Sequence, residues 1–116
     1  LQKQGSEELT KQIGEVFQMQ QSQAELIISH KAKCPYKSII TGDFNNTAYS
    51  YVYDKIKGSH QDAFLVAGNG FGKTFNFNFI PLRIDFVLTD SDFTVNGFKN
   101  YDIKFSDHYP IKAILK

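Results

Sequence analysis

The chain has 116 residues, enough for one domain and too few for two of ordinary size. Its 11 Phe and 6 Tyr supply the large apolar area that a disordered tail lacks, so it reads as a globular protein. A net charge of +1 gives no broad field toward nucleic acid or a membrane, and any polyanion must be recognised locally, at a site.

Cys34 is the only cysteine, which rules out an internal disulfide and a cysteine-based zinc cluster. No stretch approaches the roughly 20 apolar residues of a membrane-spanning helix, and no signal peptide is visible. The sequence starts at Leu1, without Met, and runs directly into a helical pattern, which reads as a cut through a longer protein.

In chain order, residues 6–33 are predicted to form one amphipathic helix packed on a sheet. Ser6 is its expected cap, Glu7 and Glu8 suit the positive end of its dipole, and Lys31 and Lys33 suit the negative end. Leu9, Ile13, Val16, Ala24 and Ile27 recur on one face, and Pro35 ends the helix. Lys37–Thr41 reads as a short strand stopping at Gly42, followed by the polar loop Asp43–Thr47. Tyr49–Lys57 suits a short helix with Tyr49, Tyr53 and Ile56 on one side, and Asp62–Val66 a further helical turn. Residues 67–72 are a loop by their glycine content.

The period then changes to two. Thr74–Phe79 alternates like a half-buried strand, Leu82–Leu88 reads as a more central one, and Phe93–Phe98 and Ile111–Leu115 complete the set. Helices early and strands late predict an α/β fold: a mixed, mostly antiparallel sheet with helices on one face.

Three polar elements lie at predicted strand ends. In Thr41-Gly42-Asp43-Phe44-Asn45, a carboxylate and an amide two residues apart share one side of an extended chain, where they suit water, metal or phosphate oxygen. The plain alternative is an Asx turn closing a strand. In Arg83-Ile84-Asp85-Phe86, an Asp sits inside an apolar strand, where an unpaired charge would cost several kcal/mol. Its partner is either a distant group or Arg83. In Ser106-Asp107-His108-Tyr109-Pro110, adjacent Asp and His project differently and suit a metal ligand and a proton-handling group. His30 and His60 read as solvated.

Taken together in this order, the three elements resemble the endonuclease/exonuclease/phosphatase superfamily, which includes deoxyribonuclease I and exonuclease III-like enzymes. The resemblance runs over about residues 37–116, and the Gly68–Phe75 approach to the Arg-Ile-Asp strand adds to it. It implies a divalent-metal-dependent hydrolase of phosphodiester or phosphomonoester bonds, using Mg2+ or Mn2+. By the same resemblance, Asp43 would orient or deprotonate the attacking water or lie near the metal, and Asn45 would bind the scissile phosphate. Asp107 would be a metal ligand, His108 would stabilise the phosphoryl group or move a proton, and Asp85 would orient His108. Asn46 falls outside the matched motif and is expected to matter little.

The family's N-terminal half normally adds an asparagine, a metal-binding glutamate and a second histidine. Here Glu7, Glu8, Glu15 and Glu25 all lie on the first helix, without that strand context. The expectation is therefore that residues 1–116 are the C-terminal portion of the domain, half of a four-layer α/β sandwich, and inactive alone. Its partners would be a phosphoester substrate (nucleic acid, phosphoinositide or phospholipid head group) and the missing half. Self-association through the exposed sheet face, with Phe75, Phe77 and Phe79, is the further possibility. Two other readings remain at this point: a non-catalytic interaction module on the same fold, and a small α/β domain whose motifs are coincidental.

Overall fold

The computed structural model describes residues 2–116, with side chains described from residue 5 onward. Its elements are helix α1 (Gln2–Lys33), strand β1 (Ile39–Asp43), helix α2 (Tyr51–Lys57), strand β2 (Gln61–Asp62) and helix α3 (Ala63–Ala67). Strands β3 (Phe75–Phe77), β4 (Ile80–Leu82), β5 (Asp85–Thr89), β6 (Val95–Asn100) and β7 (Ile111–Leu115) follow. The α/β class holds. The strands are divided among three antiparallel sheets, β1-β5-β2, β3-β4 and β6-β7, instead of forming one mixed sheet.

Alternation along β5 sets the core. Phe86 and Leu88 are fully buried on one face, where Ala24 of α1 and Tyr53 and Ile56 of α2 meet them. The Phe86 ring lies 5.0 Å from Phe44 and 4.8 Å from Tyr53, tilted to both, as aromatic quadrupoles favour. Burying each large side chain contributes roughly 1.5–3 kcal/mol. Asp85 falls on the other face of the same strand.

Several boundaries depart from the sequence reading. α1 begins before Ser6, which sits inside the helix and accepts from Thr10 Oγ1 at 2.8 Å, so Ser6 is not the cap. Only the C-terminal half of α1 packs: Leu9 and Val16 are 57% and 52% exposed, and the predicted stripe is buried only at Ala24. Lys31 does not serve its own helix end. Its Nζ donates to Ile56 O and Lys57 O, closing the C-terminus of α2. α2 starts after Ser50, whose hydroxyl accepts from Tyr53 N at 3.0 Å, and Tyr49 is left outside, exposed. α3 is capped by Asp62, which accepts from Phe64 N at 3.0 Å.

β1 runs on through Gly42 to Asp43, because both residues still pair with β5. The predicted strand 74–79 is instead half of a hairpin. Asn78 and Phe79 both have positive φ (47° and 67°), turning the chain so that Phe77 pairs with Ile80. The alternation was real, but the turn has no glycine to announce it. The predicted strand 82–88 breaks at Arg83 and Ile84, where Thr74 Oγ1 accepts from Ile84 N and Asp85 N at 3.0 and 3.2 Å. Phe77, Phe79 and Ile80 are exposed. Among the described residues no helix is long and apolar enough to cross a membrane.

Candidate active site

The β1–β5 register places Asp43 directly opposite Asp85. Opposed residues of an antiparallel pair point to the same face, so two carboxylates stand side by side, an arrangement that is destabilising by itself. His108 resolves it. Its Nδ1 lies 2.7 Å from Asp85 Oδ2 and its Nε2 lies 3.5 Å from Asp43 Oδ2. A carboxylate only accepts, so Nδ1 carries the hydrogen and donates it to Asp85. That hydrogen bond raises the His108 pKa above its ordinary value; burial opposes it, and the charges of Asp85, Asp43 and Asp107 add to the rise.

His108 is brought there by the β3 segment. Phe75 pairs with His108 in an isolated antiparallel bridge, their rings 5.1 Å apart, and Tyr109 N donates to Thr74 O at 2.8 Å. Thr74 thus ties both sides of the pair, its hydroxyl on the Asp85 backbone and its carbonyl next to His108. From the sequence Thr74 is only the first residue of a predicted strand, since an isolated Thr carries no signal of its own.

Arg83 is not the partner of Asp85. It reaches Asp62, with Nη1 2.7 Å from Oδ2, and Asp62 is wholly buried. Tyr53 OH donates to the same oxygen at 2.6 Å. This separate network ties the β4–β5 junction to β2 and α2 and leaves Asp85 free for the histidine. Asp62 was read from sequence only as the start of a helical turn.

The other candidates are placed less tightly. Asn45 is not extended: its φ of 52° turns the chain, and its N–H donates to Asp43 Oδ1 at 2.8 Å. The two side chains therefore do not share a strand face, and the Asx-type contact is real. Asp107 is exposed, outside the cluster in which Asp43, Asp85 and His108 offer ligand atoms within 4.8 Å of one another. His60, read as solvated, is buried. Its Nε2 lies 2.7 Å from Ser38 Oγ, and burial, then Lys31, pushes its pKa down. His30 and Cys34 are exposed.

The model of the Endonuclease/Exonuclease/phosphatase family matches residues 15–108, a span that takes in Asp43 and Asp85 and ends at His108. The chain belongs to the endonuclease/exonuclease/phosphatase family. No curated protein matches it significantly. Solved structures similar to it include two from Bacteroides thetaiotaomicron. One is an endonuclease/exonuclease/phosphatase family protein, 26% identical with a TM-score of 0.61 over 79% of this chain and 42% of that one. The other is a mannosyl-6-phosphatase of strain VPI-5482, 26% identical with a TM-score of 0.56 over 86% of this chain and 43% of that one. The chain therefore spans less than half the length of either relative. Like them, it is built from helices and antiparallel sheets, the fold of this family.

For a family member, the donor set at this sheet end suits a hard divalent cation. Asp43 and Asp85 offer carboxylate oxygens in one cluster with His108, and a hydrated ion needs only one or two such carboxylates. The His108 nitrogens, by contrast, are both turned to carboxylates, which fits a proton-handling group better than a ligand.

Proposed function

We propose that this chain is the C-terminal portion of a divalent-metal-dependent hydrolase of phosphodiester or phosphomonoester bonds. The observation that carries the reading is the His108 imidazole held at 2.7 Å by Asp85 with Asp43 beside its other nitrogen. An orienting carboxylate fixes the tautomer, and the raised pKa favours an imidazolium suited to negative phosphoryl oxygens.

Asp43 then orients the attacking water and takes its proton as the water oxygen bonds to phosphorus. Asn45 donates to a phosphoryl oxygen and His108 stabilises the phosphoryl charge, while the ester P–O bond breaks and the leaving oxygen departs with the bonding pair and takes a proton from solvent. Asp43 and Asp107 are the residues that would hold Mg2+ or Mn2+, which supplies Lewis-acid stabilisation of the phosphoryl charge when bound. The chain's glutamates all lie on α1, far along the sequence from these groups, so the remaining ligand set is assigned to the rest of the domain. The same missing half is the proposed cover for the exposed Phe77, Phe79 and Ile80. The near-neutral charge and the phosphatase among the similar structures favour a small phosphoester over duplex nucleic acid.

The test compares this chain with the full-length protein, each with magnesium or manganese, on p-nitrophenyl phosphate, bis-p-nitrophenyl phosphate and plasmid. The full-length protein is expected to turn over at least one of them and to stop on chelation, and the chain alone to be inert. An inert full-length protein would favour the interaction-module reading.

A further inference from the structure

We propose that Asn46 and Gln20 form a clamp on the Asp43–Asn45 turn and are positioning residues for the reaction. After Asp43 the chain leaves the sheet with Phe44 N bonded to Ile84 O at 2.9 Å, then bends at Asn45 into the left-handed region. The Asn45 N–H holds Asp43 Oδ1, which leaves Oδ2 facing His108. The carboxylate's aim therefore depends on the turn staying closed.

Asn46 closes it. Its Nδ2 donates to Phe44 O at 3.1 Å and to Gln20 Oε1 of α1 at 3.2 Å. Phe44 O can only accept, so the Asn46 amide must present its nitrogen there. The second hydrogen of that nitrogen then requires an acceptor, which orients the Gln20 amide in turn. One carbonyl thus fixes two side chains.

Packing holds Phe44, whose ring lies 5.0 Å from Phe86, but it reaches only that residue of the turn. A cavity of about 110 Å³ lies between α1 and the turn, lined by Gln20, Ala24, Ile27, Asp43, Phe44 and Asn45. With open space behind the turn, hydrogen bonds decide its conformation. Gln20 is well rooted for the task. Among the described residues of the helix it is the first half-buried position, one turn before the buried Ala24. The expectation that Asn46 matters little is replaced: it lies outside the motif but holds the motif's backbone.

The kinetic consequence rests on the hydrolase reading, whereas the clamp itself is read from the turn. In the full-length protein, Asn46→Ala, Gln20→Leu and Gln20→Glu are compared for Asn45 amide hydrogen exchange, kcat and KM. Asn46→Ala and Gln20→Leu are expected to speed Asn45 exchange about tenfold and to lower kcat about tenfold, with KM within about twofold. Gln20→Glu keeps the acceptor and is expected to retain wild-type exchange and kcat, which a merely structural role for Gln20 does not require. Should Asn46→Ala fail to fold, Gln20→Leu still removes the acceptor without touching the turn. Wild-type exchange at Asn45 in both Gln20→Leu and any folded Asn46→Ala overturns the clamp. Loss of exchange protection in Asn46→Ala and Gln20→Leu, in a protein whose wild type hydrolyses nothing, supports the clamp and removes the hydrolase reading.

Discussion

Arg83 and Asp85 are two residues apart with opposite charges, yet they do not pair: Arg83 ends 2.7 Å from the buried Asp62, and Asp85 ends 2.7 Å from His108. The chain breaks its strand between β4 and β5 at this point, so the two side chains are not bound by strand alternation. A cation on Asp85 would have competed with His108 for its carboxylate. The two networks are chemically separate and fail in different ways when altered.

Asp85→Asn removes the main cause of the raised His108 pKa. The His108 titration, followed by NMR, is expected to move down toward the ordinary histidine value. The sign for stability follows from linkage: a group whose folded pKa is raised stabilises fully below its unfolded value of about 6.5 and loses that contribution as pH rises through the folded value. Asp85→Asn should reduce this alkaline-side loss, with Asp43 and Asp107 still acting on His108. An unmoved His108 titration would show that Asp85 is not its proton-holding partner.

His60 has the opposite sign. It is kept neutral by burial and by Lys31, with Lys57 acting the same way and Asp90 and the Ser38 contact opposing. Its lowered folded pKa gives stability that is whole above about pH 6.5 and is lost as pH falls toward the folded value. Urea midpoints between about pH 5 and pH 7 should fall on acidification in the native protein and fall less in His60→Gln. Equal acid sensitivity in both would assign the loss elsewhere.

Arg83→Met leaves Asp62 charged, wholly buried and dependent on Tyr53 and a helix N–H alone. The expected cost is about 3–5 kcal/mol in denaturant unfolding, with partial recovery in Arg83→Met/Asp62→Asn. A loss below about 1 kcal/mol would mean that the pair is dispensable to the fold.

Phe79 sits at the hairpin tip with φ at 67° and its side chain fully exposed. An aromatic residue there pays a steric penalty of roughly 1–2 kcal/mol that glycine avoids. In this chain alone, Phe79→Gly should therefore raise stability by about 1 kcal/mol after the entropy gained by the unfolded chain is deducted. Destabilisation instead would show that the ring contacts another surface.

Asp43→Asn and His108→Ala in the full-length protein should each lower kcat by about 10² or more, the scale of a lost proton-transfer or charge-stabilising group. Mild, equal effects at both positions would make the cluster structural.

The sequence by itself determined which segments are helical or extended and which polar residues were candidates. Apolar period and Gly, Pro and Asn punctuation are local signals, and they placed α2, α3, β7 and the central β5 within a residue or a few. Where local signals conflict with tertiary hydrogen bonding, the sequence misled. The 74–79 run alternates, but it folds as a hairpin because Asn78 and Phe79 accept positive φ without a glycine. Likewise, α1 shows one continuous apolar face, although the described body covers only its second half.

The partners of charges were decided only in three dimensions. Nothing between Arg83 and Asp85 in the chain says that one will reach Asp62 and the other His108. Burial of His60 and the Gln20–Asn46 contact also join residues 22 and 26 positions away, on separate elements. A side chain's pKa and orientation depend on what surrounds it within a few ångströms, and distance along the chain does not report that. Register did what residue spacing could not: by setting Asp43 opposite Asp85, the β1–β5 ladder made two like charges into a seat for one imidazole.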